Sequence, residues 1–407
     1  MTEEQVKQGL QILELEFGAA SVRAAIDAVK KFNIEIPSWI FGKFGGGRFG
    51  EYMPPGAART IAEKLDDAAV VNRLTGAADS VAMHMLWDFS EDGRVASLQI
   101  AKRVHETAGE RGLKIGSVSP TYFLKGSYRN SLSADERDTR ERYIEQTVLA
   151  ARIAKDFGGK LVTVWLPDGS AYPGQIQLRR NFENAKQSLL QAKSQIDDDV
   201  WLLIEYKVFE PGTYSTTVPD WGSAYVLAKA LGDNAGVLVD LGHHFHAANI
   251  EQIVARLIAE KMRCGFHFNT RYAADDDHAV EPNPEMARIF YELVSGQVVA
   301  NDKPEKNWAY MIDQCSSREN RLHAVLHSID TLQHCLARAM MVPEAEMTAH
   351  QAKDEIILAN RCFNRAIMYA DVRPIVAAAR LERLLPIDPV EEFVKSRYQA
   401  KIEAERQ

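Results

Sequence analysis

No stretch of this chain is apolar for long enough to cross a bilayer. Cysteine is scarce: Cys264, Cys315, Cys335 and Cys362 are all there is, and no two stand in a C-x-x-C pair. That spacing excludes a disulfide framework and thiolate metal clusters, and it implies reduced thiols in a cytoplasmic protein. The start, Met1-Thr2-Glu3-Glu4-Gln5, lacks the basic and apolar regions of a signal peptide. A surplus of basic residues is missing too. Against 48 Lys and Arg stand 56 Asp and Glu, for a formal net charge of −8. Such a balance argues against nucleic acid or an anionic membrane as the main partner. No Gly-x-Gly-x-x-Gly follows a strand-like run, so a dinucleotide cofactor is not indicated. The glycine-rich stretch from Gly42 to Gly50 lacks the Gly-Lys-Ser/Thr ending of a phosphate loop. It reads instead as a loop over a site or an interface.

What the sequence does have is alternation. The 407 residues, 46% hydrophobic, suffice for a large core. After helical spacing over 3–32, strand-like runs at 34–40, 81–88, 114–118, 160–166, 200–206, 236–241, 264–268 and 308–313 are mostly followed by helical ones. The helices are expected at 56–74, 94–111, 134–157, 176–195, 221–231, 249–261, 284–295 and 318–340. Ser133 and Glu136 look like a capping box for the third of them. Alternation of this kind predicts a parallel sheet with right-handed crossovers. Polar groups end strands two, four, five, six, seven and eight, and only a ring brings six strand ends together. The prediction is therefore an α/β fold, a (β/α)8 barrel over 1–342, whose site lies at the C-terminal ends of its strands. Beyond it, 344–372 and 388–403 read as a helical tail, 343–407, that packs on the barrel or on another subunit.

Chemistry concentrates between Glu205 and Asp313. The blocks are Ile204-Glu205-Tyr206-Lys207, Val239-Asp240-Leu241-Gly242-His243-His244, Gly265-Phe266-His267-Phe268-Asn269, Asp275-Asp276-Asp277 and Met311-Ile312-Asp313-Gln314. Carboxylate oxygen and imidazole nitrogen suit Mn²⁺, Mg²⁺ or Co²⁺. If Glu205, Asp240, Asp275, Asp277 and Asp313 converge, repulsion is large: two unit charges about 4 Å apart interact by roughly 4 kcal/mol at an effective dielectric of about 20. Two divalent cations and Lys207 would bring five negative charges to zero. Earlier in the chain, Met83-His84-Met85-Leu86-Trp87-Asp88 carries His84 and Trp87 at the end of strand two, and Trp165 ends strand four.

Together these blocks resemble the two-metal site of the xylose isomerase-like barrels, and within them the L-rhamnose isomerase family of the Pseudomonas type. The resemblance implies a metal-dependent aldose–ketose isomerase, converting L-rhamnose to L-rhamnulose and open to other aldoses. Two divalent ions are implied, manganese first, with cobalt or magnesium as alternatives. Glu205, Asp240, His267 and Asp313 would hold the ion that orients the sugar. His243, Asp275 and Asp277 would hold the second, with Asp240 able to bridge. Lys207, Asp313 and His84 are the implied catalytic residues. Lys207 would bond sugar oxygens, and His84 would meet the ring oxygen or the C1 end. Trp87 and Trp165 would form apolar walls, and Phe49 would reach into the pocket of a neighbouring subunit in a homotetramer. Hydrogen would pass between C2 and C1 as hydride, or as a proton through a water positioned by a carboxylate such as Asp313. One stretch, Asn269-Thr270-Arg271-Tyr272-Ala273-Ala274, departs from the family pattern Asn-Asp-Ser-Lys; it bears on which sugar is used. Three other readings remain. They are a one-metal sugar epimerase on the same barrel, a metal-dependent phosphoesterase or endonuclease, and a non-catalytic sugar-binding protein.

Overall fold

In the computed structural model the described residues are 1–42, 53–124, 126–170, 172–210, 213–271, 277–316 and 318–406. Eight parallel strands are hydrogen-bonded in chain order. They are β1 (Ile36–Pro37), β2 (Ser80–His84), β3 (Lys114–Ser119), β4 (Leu161–Trp165), β5 (Trp201–Glu205), β6 (Ala235–Asp240), β7 (Gly265–Phe268) and β8 (Ala309–Ile312). Glu35 bridges to Met311 and brings the last strand back to the first. Its backbone N–H donates to the Tyr310 carbonyl at 2.8 Å, and its carbonyl accepts from the Ile312 N–H at 2.9 Å. The predicted (β/α)8 barrel is the observed fold.

Side-chain parity explains how the barrel carries a site. Successive residues of a strand face opposite ways. Leu203, Leu238 and Met311 face inward and form a small apolar layer inside the ring. Their neighbours Leu202, Ile204, Val237, Val239, Phe266, Phe268 and Ile312 belong instead to the large core shared with the surrounding helices. Two residues beyond the inner layer, parity turns Glu205, Asp240 and Asp313 inward again. The apolar layer is thus a floor, and the ionisable residues stand on it.

A second carboxylate lies below that floor. Glu35 accepts from the Ser80 hydroxyl at 2.9 Å and from the Ser117 backbone N–H and hydroxyl. Burial raises its pKa, against the pull of those hydrogen bonds. Gly116 sits directly against it, and a Cβ at that position would collide with the carboxylate. Gly116→Ala should therefore destabilise the protein by about 1–3 kcal/mol, the usual cost of overpacking. Denaturant unfolding measures this.

The helices around the barrel are α3 (Ile61–Thr75), α4 (Leu98–Gly109), α5 (Arg137–Phe157), α6 (Leu178–Lys193), α7 (Trp221–Leu231), α8 (Ile250–Ala259), α9 (Pro284–Ser295) and α10 (Arg321–Met340). Before them, α1 (Glu3–Phe17) and α2 (Ala19–Lys31) meet at Gly18, whose φ of 87° breaks the helix. After them come α11 (Glu344–Gln351), α12 (Ile356–Asn364), α13 (Arg373–Leu381), α14 (Pro389–Ser396) and α15 (Tyr398–Glu405). Val6, Leu13, Val22, Ile26 and Val29 of α1 and α2 pack with Ile375 and Val376 of α13 in a second core. Phe393 and Ile402 return to the main core, and Arg406 pairs with buried Asp67 of α3 at 2.7 Å. No helix among the described residues is long and apolar enough to cross a membrane.

Three local expectations are corrected. The first strand is only Ile36–Pro37, and Ser38–Phe41 is a 3-10 turn. The second strand stops at His84, and Met85–Asp88 turns into a helical turn. Asp88 holds this turn by accepting from the His84 N–H at 2.7 Å and the Ser38 hydroxyl at 2.6 Å. Helix α5 starts at Arg137 with no side-chain cap, because both the Ser133 hydroxyl and its N–H serve Asp168. The stretches 344–372 and 388–403 are helical as expected, with a break after Gln351, a π-turn at Arg365–Tyr369 and a second break at Arg397, which takes a left-handed φ of 55°.

Candidate functional site

The strand ends converge on one cavity of about 340 Å³. At its base, one ligand atom from each of Glu205, Asp240, His267 and Asp313 lies within 4.8 Å of the others. His267 Nδ1 stands 3.1 Å from Glu205 Oε1, 3.7 Å from Asp240 Oδ2 and 3.7 Å from Asp313 Oδ2. Asp240 is fully buried, and its Oδ2 has no hydrogen-bond partner. A buried carboxylate oxygen without a partner is costly, and this one faces the other three donors. The set of three carboxylates and one imidazole suits a hard or borderline divalent cation. These residues fit the ion that the sequence implied.

Electrostatics point the same way. Burial, then the Glu205 and Asp313 carboxylates, push the Asp240 pKa well above its usual range. Burial opposes charge on His267, but Glu205, Asp313 and Asp240 outweigh it and raise the imidazole to about 10. Negative charge packed this densely attracts whatever positive charge can enter, and a cation relieves the repulsion.

Hydrogen bonds from side chains outside the cluster hold the donors in place. The Asn269 amide donates to Asp240 Oδ1 at 3.0 Å, and the Trp39 indole N–H donates to Asp313 Oδ1 at 2.9 Å. Such outer partners typically account for 10–100-fold in metal affinity. Trp39→Phe should weaken divalent-cation binding by about that factor while leaving the fold intact. Calorimetric titration of the metal-free protein measures it.

His243 stands beside the cluster. Its Nδ1–H donates to the Tyr206 carbonyl at 2.9 Å, which leaves the lone pair on Nε2, 4.0 Å from Asp240 Oδ2. Burial, with the Lys207 charge, drives its pKa well below the usual value, so the ring is neutral. Neighbouring His244 is turned away and bonds the Tyr206 hydroxyl at 2.6 Å. Asp277 lines the cavity and accepts from the Cys315 thiol at 3.3 Å. Asp275 and Phe49 lie outside the described residues, so their expected roles have no counterpart in this geometry.

The upper wall is aromatic. His84 stacks on Trp87 with ring centroids 3.9 Å apart, and Trp165 and Phe123 complete the lining. Burial lowers the His84 pKa to about 3, so that ring is also neutral. Its Nδ1 bonds the Thr121 hydroxyl at 2.9 Å. Opposite, Lys207 is buried, lies 5.4 Å from the centre of the Trp165 ring and is paired with Glu210. Glu210 takes up the lysine's charge, which the balance over five acids and Lys207 left out. The number of cations therefore rests on the ligand sets and not on that sum.

The expected residues His84, Trp87, Trp165, Glu205, Lys207, His243, His267, Asp277 and Asp313 all line this one cavity, with Asp240 directly behind. Asp168, just beyond the end of β4, is buried between Ser131 and Ser133. Trp39, Asn269, Phe123 and Glu210 were assigned no role from sequence. Trp39 lies in the 3-10 turn Ser38–Phe41 that follows β1, so strand alternation could not place it.

The chain resembles known proteins in sequence and in fold. Residues 74–286 match the xylose isomerase-like TIM barrel model. A probable sugar isomerase of Mesorhizobium japonicum is 36% identical over 389 residues, spanning 94% of this chain and 89% of that protein. The chain belongs to the xylose isomerase-like TIM barrel family. An L-rhamnose isomerase of Bacteroides thetaiotaomicron is 22% identical over 378 residues, 87% of each chain. Among solved structures, an L-ribulose 3-epimerase superposes with a TM-score of 0.54 at 14% identity, covering 80% of this chain and 98% of that one; this likeness concerns the fold alone.

Proposed function

We propose that this protein is a metal-dependent aldose–ketose isomerase that moves hydrogen between C2 and C1 of an open-chain sugar, with L-rhamnose the first substrate to try. The observation that carries the reading is the cluster of Glu205, Asp240, His267 and Asp313 at the base of an aromatic-walled cavity. Relatives named as sugar isomerases support it.

Glu205, Asp240, His267 and Asp313 would hold one divalent ion, and His243, Asp277 and Asp275 a second. Bound there, the ions supply Lewis acidity toward the negative charge that develops on neighbouring sugar oxygens. The chain's own residues do the rest. The flat faces of Trp87, Trp165 and Phe123 take the apolar face of the sugar and exclude water. Lys207, held by Glu210, donates to a sugar oxygen. Neutral His84 can either donate to or accept from an oxygen at the C1 end. Asp313, with Oδ1 fixed by Trp39, turns Oδ2 toward the cluster and would position a water beside the sugar.

A one-metal epimerase is the second reading, because the described residues close one four-donor cluster. The two readings part on product. Incubation of a panel of aldoses with Mn²⁺-loaded protein should yield the ketose. Carbon-3 epimers of added ketoses, with no aldose consumed, would favour the epimerase instead.

A further inference from the structure

We propose that the C-terminal helices carry another metal site, for a zinc-like cation, held by Glu346, His350 and Cys362. It stands on different elements from the barrel centre and is independent of the reaction proposed above. Glu346 and His350 are four residues apart on α11, so both side chains leave the same face of the helix. Cys362 comes from α12. One donor atom from each of the three lies within 4.8 Å of the others.

Three features go beyond mere proximity. Cys362 is pinned in place. It is buried in a small core with Met347 and Ala359, against which Tyr291, Val342 and Phe363 pack. His350 is oriented from behind, since its Nδ1 bonds Glu355 Oε2 at 2.7 Å. A carboxylate only accepts, so Nδ1 carries a proton and Nε2 is the ring nitrogen left to bind a metal. A metal-binding histidine usually donates its other ring N–H to such a carboxylate. The charges also close. With a divalent ion bound, Glu346, Glu355 and the Cys362 thiolate supply three negatives. The ion and Arg365, which stands 3.0 Å from Glu346 Oε2, supply three positives.

The donor set selects the metal. Thiolate with imidazole and carboxylate favours zinc over manganese or magnesium, whereas the barrel cluster has only oxygen and nitrogen donors. On binding, the Cys362 thiol gives its proton to solvent and the sulfur bonds the metal; nothing is oxidised. Glu346 lies at the exposed edge, so solvent can fill the fourth tetrahedral position. The bound ion would clamp α11 to α12.

Cobalt reports thiolate ligation by a charge-transfer band in the near ultraviolet, whatever the activity of the enzyme. Metal-free full-length protein titrated with Co²⁺ should develop this band, and Zn²⁺ should abolish it. Cys362→Ser and His350→Ala should each remove the band, and Cys315→Ser should keep it. Absence of the band from the unaltered protein would overturn the proposal. So would a band that survives Cys362→Ser and vanishes with Cys315→Ser, because the sulfur would then belong to the barrel cavity. Should Cys362→Ser fail to fold, His350→Ala decides: loss of the band supports the site and its retention refutes it.

Discussion

Exhaustive chelation should abolish turnover, and Mn²⁺ or Co²⁺ should restore it. The structure also sets a second expectation for the same experiment. Without a cation, Asp240 Oδ2 stays buried with no partner, and three carboxylates crowd one imidazole. A ligand that binds only the folded state stabilises it by about 2.7 kcal/mol at one hundred times its Kd. The melting temperature should therefore rise with metal concentration along with the activity. Asp240→Asn separates the two effects. It removes a carboxyl whose ionisation is opposed by burial and by the Glu205 and Asp313 carboxylates, so the metal-free variant should melt no lower than the metal-free parent. It also removes a ligand, so added Mn²⁺ should no longer raise its melting temperature. Full turnover by protein shown to be metal-free would refute the metal-dependent reading.

His243→Asn and Asp277→Asn test the second set of ligands. Neither residue belongs to the four-donor cluster, so one ion and the aromatic walls should remain, and sugar binding should persist. Hydrogen transfer should fall by about 10²–10³, the typical cost of removing one strong electrostatic stabiliser of the transition state. A loss in kcat with little change in binding is the expected pattern. The path of the hydrogen can be read alongside. Reaction in D₂O with little deuterium at C1 of the ketose indicates direct transfer, whereas extensive incorporation indicates a proton shuttle with Asp313 as the first residue to change. Near-normal kcat in both variants would remove the second ion and favour the one-metal reading.

Most of the barrel was legible because parallel strands buried on both faces read as short apolar runs, and six of the eight ended in a residue that such a run has no reason to contain. Glu205, Asp240 and Asp313 stand two residues beyond Leu203, Leu238 and Met311, and that parity alone turns them inward. What escaped was local competition for hydrogen bonds. Ser133 has the spacing of a helix cap, but Asp168, some 35 residues later in the chain, takes its hydroxyl. Trp87 reads as strand, yet the Asp88 carboxylate curls the chain at His84. Glu210 lies only three residues from Lys207, and nothing in the intervening residues announces that the two will pair inside the cavity. Partners brought together by the closed ring cannot be read from a linear pattern.

The ladder of backbone hydrogen bonds around the barrel is uneven. Between β4 and β5 five residue pairs are in register, but between β3 and β4 there is one, Val118 with Val162. The closing joint between β1 and β8 rests on Glu35. At each thin joint a side-chain bond crosses the gap on the cavity side. The Ser119 and Thr163 hydroxyls meet at 2.6 Å over the first, and the Trp39 indole reaches Asp313 over the second. These same four side chains line the cavity. The stitching of the wall and the lining of the pocket are thus one set of atoms. A sugar that takes the hydrogen bond of the Ser119 or Thr163 hydroxyl does so by exchanging with the seam, so occupancy and the breathing of the wall should be coupled. Amide exchange at Val118, Val162 and Ile312 would register an arriving ligand that never touches their backbone.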